Sequence, residues 1–277
     1  MRVAKVISTC FIKRSYRANS YLIGDPLGYF GHSQNFQTAN DVIKLIKFNI
    51  SIEKKFNPGV KKRDIIIVNN DVGNKKGNKF LKKLTKVKIP FGKIVILNRK
   101  NYGMSFGAYN HAFKKLNHKY DFFLFTEDDI IVCRENYLKI GIEILKKTKK
   151  AGFLSYVHTT KVNKSYFEII GEKKYVPISC HGAIGLSSTT LLKKIYKKCG
   201  KLPHFKGNDY VKNIAFGEVA FPNSFLKIGY RIIDFPRDFI SFEPAYDMMR
   251  GIKVKKWPNI IEKSIFFFKS YVYKFLN

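Results

Sequence analysis

A chain of 277 residues that is 45% hydrophobic and 15% aromatic has enough apolar mass to bury a sizeable core, which excludes a disordered basic protein. It sets 52 Lys and Arg against 20 Asp and Glu, and a net charge of +32 points to an anionic partner: nucleic acid, an acidic membrane surface or an acidic small substrate. The lysines are spread through every segment without an Arg-rich block, an RNP sequence or a zinc-finger spacing, so no specific nucleic-acid reader is expected and much of the excess reads as solvated surface.

The four cysteines, Cys10, Cys133, Cys180 and Cys199, form no C-x-x-C pair, which argues against a disulfide scaffold or a zinc site and fits a reducing compartment. The first apolar stretch is too short and wrongly flanked for a secretory signal, and no run of 18 uncharged apolar residues occurs. The expectation is a cytoplasmic protein without a spanning helix.

In chain order, residues 3–9 predict a first strand and 41–55 a helix, with apolar residues at Val42, Ile43, Leu45, Ile46, Ile50 and Ile52 and Thr38 and Asp41 as a capping pair. Pro58-Gly59 punctuates its end. The run Asp64-Ile65-Ile66-Ile67-Val68 is a continuous apolar strand of the parallel-sheet kind, followed by a polar loop over 69–74. Residues 94–97 predict a third strand, 105–116 a helix and 121–126 a fourth strand, an alternation that implies a doubly wound α/β sheet. Beyond it, 179–186 reads as a strand interrupted by small residues, 189–199 as a basic helix stopped by Gly200, and 229–233 as another strand. In such a sheet the ligand crevice lies outside the carboxyl ends of the strands, where the segments 9–13, 69–74 and 127–129 fall.

Glu127-Asp128-Asp129 follows the apolar run Phe122-Phe123-Leu124-Phe125-Thr126 directly. Three carboxylates at the end of a buried strand are costly unless a cation compensates them. Hard divalent ions such as Mg²⁺ and Mn²⁺ take one or two carboxylates and fill their remaining positions with phosphate oxygens, so the triplet suits a metal-diphosphate site; a solvated turn is the plain alternative. The segment from Asn98 through Arg99, Lys100, Asn101 and Gly103 to Gly107 and Asn110 adds glycines and positive charge before a helix, a pattern that favours anions but is also ordinary punctuation. His181 and Cys180 read first as structural residues in an apolar stretch.

Together, Asn70-Asp71 at a strand end, Asn101-x-Gly103 to Gly107-x-x-Asn110, the Glu127-Asp128-Asp129 triplet and Gly217-Glu218 before a helix resemble a glycosyltransferase of the GT-A fold, most similar to family 2, over residues 1–240. The resemblance implies a Rossmann-like GT-A domain over 1–245, with a mostly parallel central sheet and helices on both faces, divided into a donor-binding half (1–130) and an acceptor-binding half (131–245). It implies that Asp71 with Asn70 holds the nucleotide base, flanked by Thr9 and Phe11. Arg99, Asn101 and Gly107 would lie near ribose and phosphates. The D-x-D motif becomes Glu127-x-Asp129, with Asp129 the foremost ligand for Mn²⁺ or Mg²⁺ and Asp128 toward the ribose or metal. Glu218 would be the general base of an inverting transfer, with Asp209 as runner-up, and His181 and Gly182 would face the donor sugar or acceptor. The implied partners are a nucleotide-diphosphate sugar and a glycan or lipid-linked acceptor, in cell-surface polysaccharide or lipopolysaccharide synthesis.

The chain departs from that pattern in lacking the Pro-x-Tyr-Asn turn after the first strand, in an insertion containing 24–35, and in lacking the Gln-x-x-Arg-Trp element of processive synthases, which points to single transfers. Residues 257–277 of a basic tail over 246–277 place Ile261, Ile265, Phe268, Val272, Phe275 and Leu276 on one side of a helix and Lys263, Lys269 and Lys274 on the other. That segment suits an anionic membrane surface on the cytosolic face or packing on the domain. Two other classes remain in play from the residues: a basic nucleic-acid-binding protein, and a sugar-nucleotide nucleotidyltransferase, against which the missing Gly-rich, Lys-containing loop after the first strand argues.

Overall fold

Seven strands pair into one sheet whose core is the alternating apolar pattern of the first half of the chain. A computed structural model describes residues 1–12, 39–132, 134–157, 159–173, 176–207, 209–236 and 242–244. Thr38, the insertion over 24–35, Cys133 and the tail over 246–277 lie outside the described residues.

The elements run β1 (Arg2–Thr9), α1 (Ala39–Lys55), β2 (Lys62–Asp71), α2 (Lys75–Leu84), β3 (Ile94–Lys100), α3 (Met104–Leu116), β4 (Phe122–Glu127), β5 (Ile130–Val132), α4 (Tyr137–Lys147) and β6 (Ala151–Ser155). They continue through β7 (Thr159–Lys161), α5 (Ser165–Ile170), β8 (Ile178–Cys180), a 3-10 turn (His181–Ala183), β9 (Gly185–Ser188), α6 (Thr189–Cys199) and α7 (Tyr210–Ile214). A π-helical turn (Ala215–Ala220), α8 (Phe221–Leu226), β10 (Arg231–Asp234) and β11 (Phe242–Pro244) complete the order.

The sheet order is β10-β6-β9-β4-β1-β2-β3, and every neighbouring pair is parallel except those made by β9. Both halves of the chain thus contribute strands to one sheet. Side chains along β1 alternate between its faces. Ala4 and Val6, with Ile66, Val68, Phe123, Phe125 and Phe153, meet α3, α6 and α8 in an aromatic layer, in which the Tyr109 and Phe125 rings stack at 4.8 Å and Phe153 lies 5.3 Å from Phe225. On the other face Ile7, Ile65 and Ile67 meet α1 and α2, while Val3, Leu124 and Leu186 meet α4. Among the described residues no helix is long and apolar enough to cross a membrane.

Several predicted boundaries move for physical reasons. β2 and β3 run on to Asp71 and Lys100, so the Asn69-Asn70-Asp71 stretch and Arg99 belong to strands. The polar loop that follows ends in a cap: the Asn74 side chain accepts from the Gly77 amide at 2.8 Å and starts α2. The interrupted strand over 179–186 is two strands, β8 and β9, separated by the turn at His181–Ala183.

Within the α1-side layer sits a group of charges. Lys5, Arg63 and Glu53 are all essentially excluded from solvent. Lys5 Nζ donates to Glu53 Oε1 at 2.6 Å, the Arg63 guanidinium donates to Oε2, and the Tyr137 hydroxyl donates to the same oxygen at 3.3 Å. Two cations converge on one buried carboxylate, so Glu53→Gln is expected to lower the unfolding free energy by about 3–5 kcal/mol, read as a lower urea midpoint with an unchanged slope.

Candidate active site

Parallel pairing brings three strand ends level. Thr9 pairs with Asn69 and Ser8 with Glu127, so the termini of β1, β2 and β4 open on one crevice. Glu127 ends β4, and Asp128 and Asp129 make the turn into β5. Asp128 is buried, and its Oδ2 accepts from the Thr9 hydroxyl at 2.6 Å, which ties the acidic turn to the neighbouring strand. Glu127 and Asp129 are half-buried.

At the end of β2 the predicted base-binding residues form a polar lattice. Asn70 is buried, donates to Ser8 Oγ at 3.2 Å and accepts from Arg99. Asp71 is half-buried, and its Oδ1 accepts from the Gly73 amide at 2.9 Å and from Asn78 at 3.1 Å. Phe11 is buried with its ring against Gly77, and its carbonyl accepts from Asn74 at 3.2 Å. Arg99 is turned inward: it donates to the Tyr102 carbonyl at 2.5 Å, and its guanidinium lies 4.2 Å from the Tyr102 ring centroid. Gly107 packs against both groups. The structure therefore gives Arg99 the work of holding Asn70 and the Asn101–Gly103 turn in place, while Asn101 itself is half-buried at the strand exit.

Glu218 approaches from the second half. The Gly217-Glu218 pair is helical, inside the π-helical turn that runs into α8, and Pro222 is tolerated because it stands in the first turn of that helix. The turn sits tight on α3, since a Cβ at Gly217 would fall 2.1 Å from the Phe106 ring. Glu218 Oε1 accepts from the Gly182 amide at 2.9 Å and lies 3.8 Å from His181 Nδ1, with Ser179 Oγ 3.5 Å from Oε2. Its side chain retains 16% exposure and that of His181 56%, so both are open to solvent. Asp209 caps α7 by accepting from the Lys212 amide at 2.8 Å.

Gly182 is where the two halves meet. It adopts φ +58, a left-handed conformation that favours glycine, and a Cβ there would lie 3.3 Å from Glu127 Oε2. Its amide holds Glu218, and its carbonyl accepts from the Tyr109 hydroxyl at 3.2 Å. Tyr109, on α3, is the residue the sequence reading missed; one more aromatic on a buried helix face carries no distinguishing signal. Burial, and then the charges of Glu127, Asp129, Asp128 and Glu218, push its phenol well above the usual range, so four carboxylates surround one neutral hydroxyl. Burial pushes the Cys180 thiol up, which leaves it a protonated core residue.

Among the described residues no group of three or more His, Cys, Asp or Glu side chains encloses a metal position. Mg²⁺ and Mn²⁺ need no such cage, since one or two carboxylates with water and phosphate oxygens suffice. Glu127 and Asp129, flanking the Thr9-bound Asp128 at a strand end, are a donor set that fits this open kind of site.

No protein-family model matches the sequence, and no curated protein sequence matches it. Solved structures do resemble the fold. The mannosyltransferase PcManGT from Pyrobaculum calidifontis, in complex with GDP-Man and Mn²⁺, superposes with a TM-score of 0.51 at 12% identity, covering 85% of this chain and 55% of that one. TarS 1-349 of S. aureus gives 0.44 at 13% identity over 95% and 68%, and the 4-diphosphocytidyl-2C-methyl-D-erythritolsynthase of Anaerococcus prevotii 0.43 at 13% over 91% and 94%. The chain spans about half the length of the mannosyltransferase chain, 55%. The fold is the GT-A type, a mixed α/β domain on a mostly parallel seven-stranded sheet.

Tyr109 makes a pH prediction. The folded protein keeps its phenolic proton where the unfolded chain, with a phenol pKa of about 10, releases it. The stability tied to this group is complete below about pH 10 and is lost as pH rises above it. Tyr109→Phe is expected to lower stability at neutral pH by about 1 kcal/mol through the lost bond to Gly182, and to make the alkaline decline less steep in urea melts taken across that range.

Proposed function

We propose that this protein is a metal-dependent glycosyltransferase that moves a sugar from a nucleotide-diphosphate sugar to an acceptor hydroxyl with inversion. The observation that carries the reading is that Glu127, at the end of the donor-half strand, and Glu218, from the acceptor half, both stand against Gly182. A diphosphate end and a base end one glycine apart are what a displacement at an anomeric carbon requires.

Asp71 and Asn70 line the base end of the donor, with Phe11 and Thr9 closing its flank. Glu127 and Asp129 would hold Mn²⁺ or Mg²⁺ against the diphosphate, and the chemistry such a cation supplies is neutralisation of charge on the leaving group. The Glu218 carboxylate, steadied by the Gly182 amide, accepts the proton of the acceptor hydroxyl as that oxygen attacks the anomeric carbon. The bond from that carbon to the diphosphate oxygen breaks, and the nucleoside diphosphate leaves with the bonding electrons. His181, exposed beside Glu218, faces the acceptor. The setting proposed is cell-surface glycan assembly on the cytosolic side, with a glycan or lipid-linked acceptor.

Two substitutions separate the ends of the site. Glu218→Gln is expected to lower kcat by about 10²–10⁴-fold while nucleoside diphosphate still binds in the presence of Mn²⁺. Asp129→Asn is expected to remove the metal dependence of that binding, measured by calorimetry with and without chelator. Metal-independent nucleotide binding by the unsubstituted protein, or full turnover by Glu218→Gln, overturns the assignment, and the anomeric form of the product tests inversion.

A further inference from the structure

α1 and α2 lie side by side on one face of the sheet and leave a groove of about 560 Å³ between their outer surfaces. Its floor is apolar, made by Ile43, Ile50, Phe80, Leu84 and Val87, of which Phe80 and Val87 are only half-buried. Its rim is cationic: Lys47, Lys54, Lys76, Lys79 and Lys83 are all exposed, and among the described residues none of the five forms an ion pair. The two helices carry nine lysines and only two acids, Asp41 and Glu53, and Glu53 is consumed inside the fold by Lys5 and Arg63. Lys47 Nζ stands 5.9 Å from the Phe80 ring centroid, so rim and floor are in register along the groove.

We infer that this face docks on an anionic phospholipid bilayer. A lipid surface offers both chemistries at once, phosphate headgroups for the rim and the glycerol-acyl boundary for the floor, and lysine stems can lie along the apolar floor while their ammonium groups reach the headgroups. The duplex backbone of a nucleic acid would engage the lysines and leave the apolar floor unfilled. The chain's own segment 257–277 carries Lys263, Lys269 and Lys274 against Glu262, a charge of the same sign as the rim, and so offers it no complementarity. The surface is separate from the strand-end crevice and does not depend on the transferase reading.

The test is flotation of the full chain with phosphatidylcholine vesicles, with and without phosphatidylglycerol, with no turnover measured. Replacing Lys47, Lys54, Lys76, Lys79 and Lys83 by Gln is expected to weaken binding to the anionic vesicles by about 100-fold or more and to reduce its salt dependence. A control of equal charge on the opposite face, Lys114, Lys115, Lys119, Lys193 and Lys197 to Gln, is expected to retain most of the binding. Equal loss in both variants, equal binding to neutral vesicles, or a loss confined to RNA binding overturns the proposal. So does a gain of affinity for an acidic amphipathic peptide with none for vesicles. Circular dichroism confirms that both variants remain folded.

Discussion

The fold turns on the level termination of β1, β2 and β4. Parallel strands in register expose their last residues at one height, and the carboxylates of β4, the asparagines of β2 and the hydroxyl of β1 are brought together by that pairing alone. The Thr9–Asp128 bond then closes the turn against the sheet. The whole crevice hangs from these three ends, and the lattice around Arg99 and Asn70 stiffens them from behind.

The second half of the chain is joined on differently. β9 enters the sheet against the grain, and the chain reaches it through a turn of small residues in which Gly182 takes the conformation that lets its amide point at Glu218 and its carbonyl at Tyr109. A π-helical turn widens the backbone where Glu218 is presented, and Gly217 lets that turn sit on the Phe106 ring. A left-handed Gly182 and a π-helical turn thus fall together where the two halves touch, the kind of local irregularity that recurs at functional sites.

What could be read in the sequence follows from how local each signal is. The β2 run and the acidic triplet are visible because a buried parallel strand is continuously apolar and ends abruptly. Gly217-Glu218 is visible only by resemblance, and its helical setting is hidden by Pro222, which reads as punctuation although the first turn of a helix accommodates it. Arg99 looks like an anion contact beside Asn101, yet β3 continues to Lys100 and the alternation of that strand turns Arg99 inward and Lys100 outward. Tyr109 acquires its role from partners far away in the chain, the Gly182 carbonyl and the acidic turn, and no window of sequence contains them.

The ammonium of Lys5 has a consequence for how the sheet is assembled. Side chains on a strand change faces with every residue, so pairing β1 one step out of phase would carry Lys5 away from Glu53 and into the layer of Tyr109, Phe123 and Phe125. That arrangement strands a charge among rings, and the same slip displaces Thr9 from Asp128. A single buried lysine thus acts as a proofreader: it makes the wrong alignment of the central strand too costly to persist, and with that it guarantees the position of a hydroxyl four residues further on.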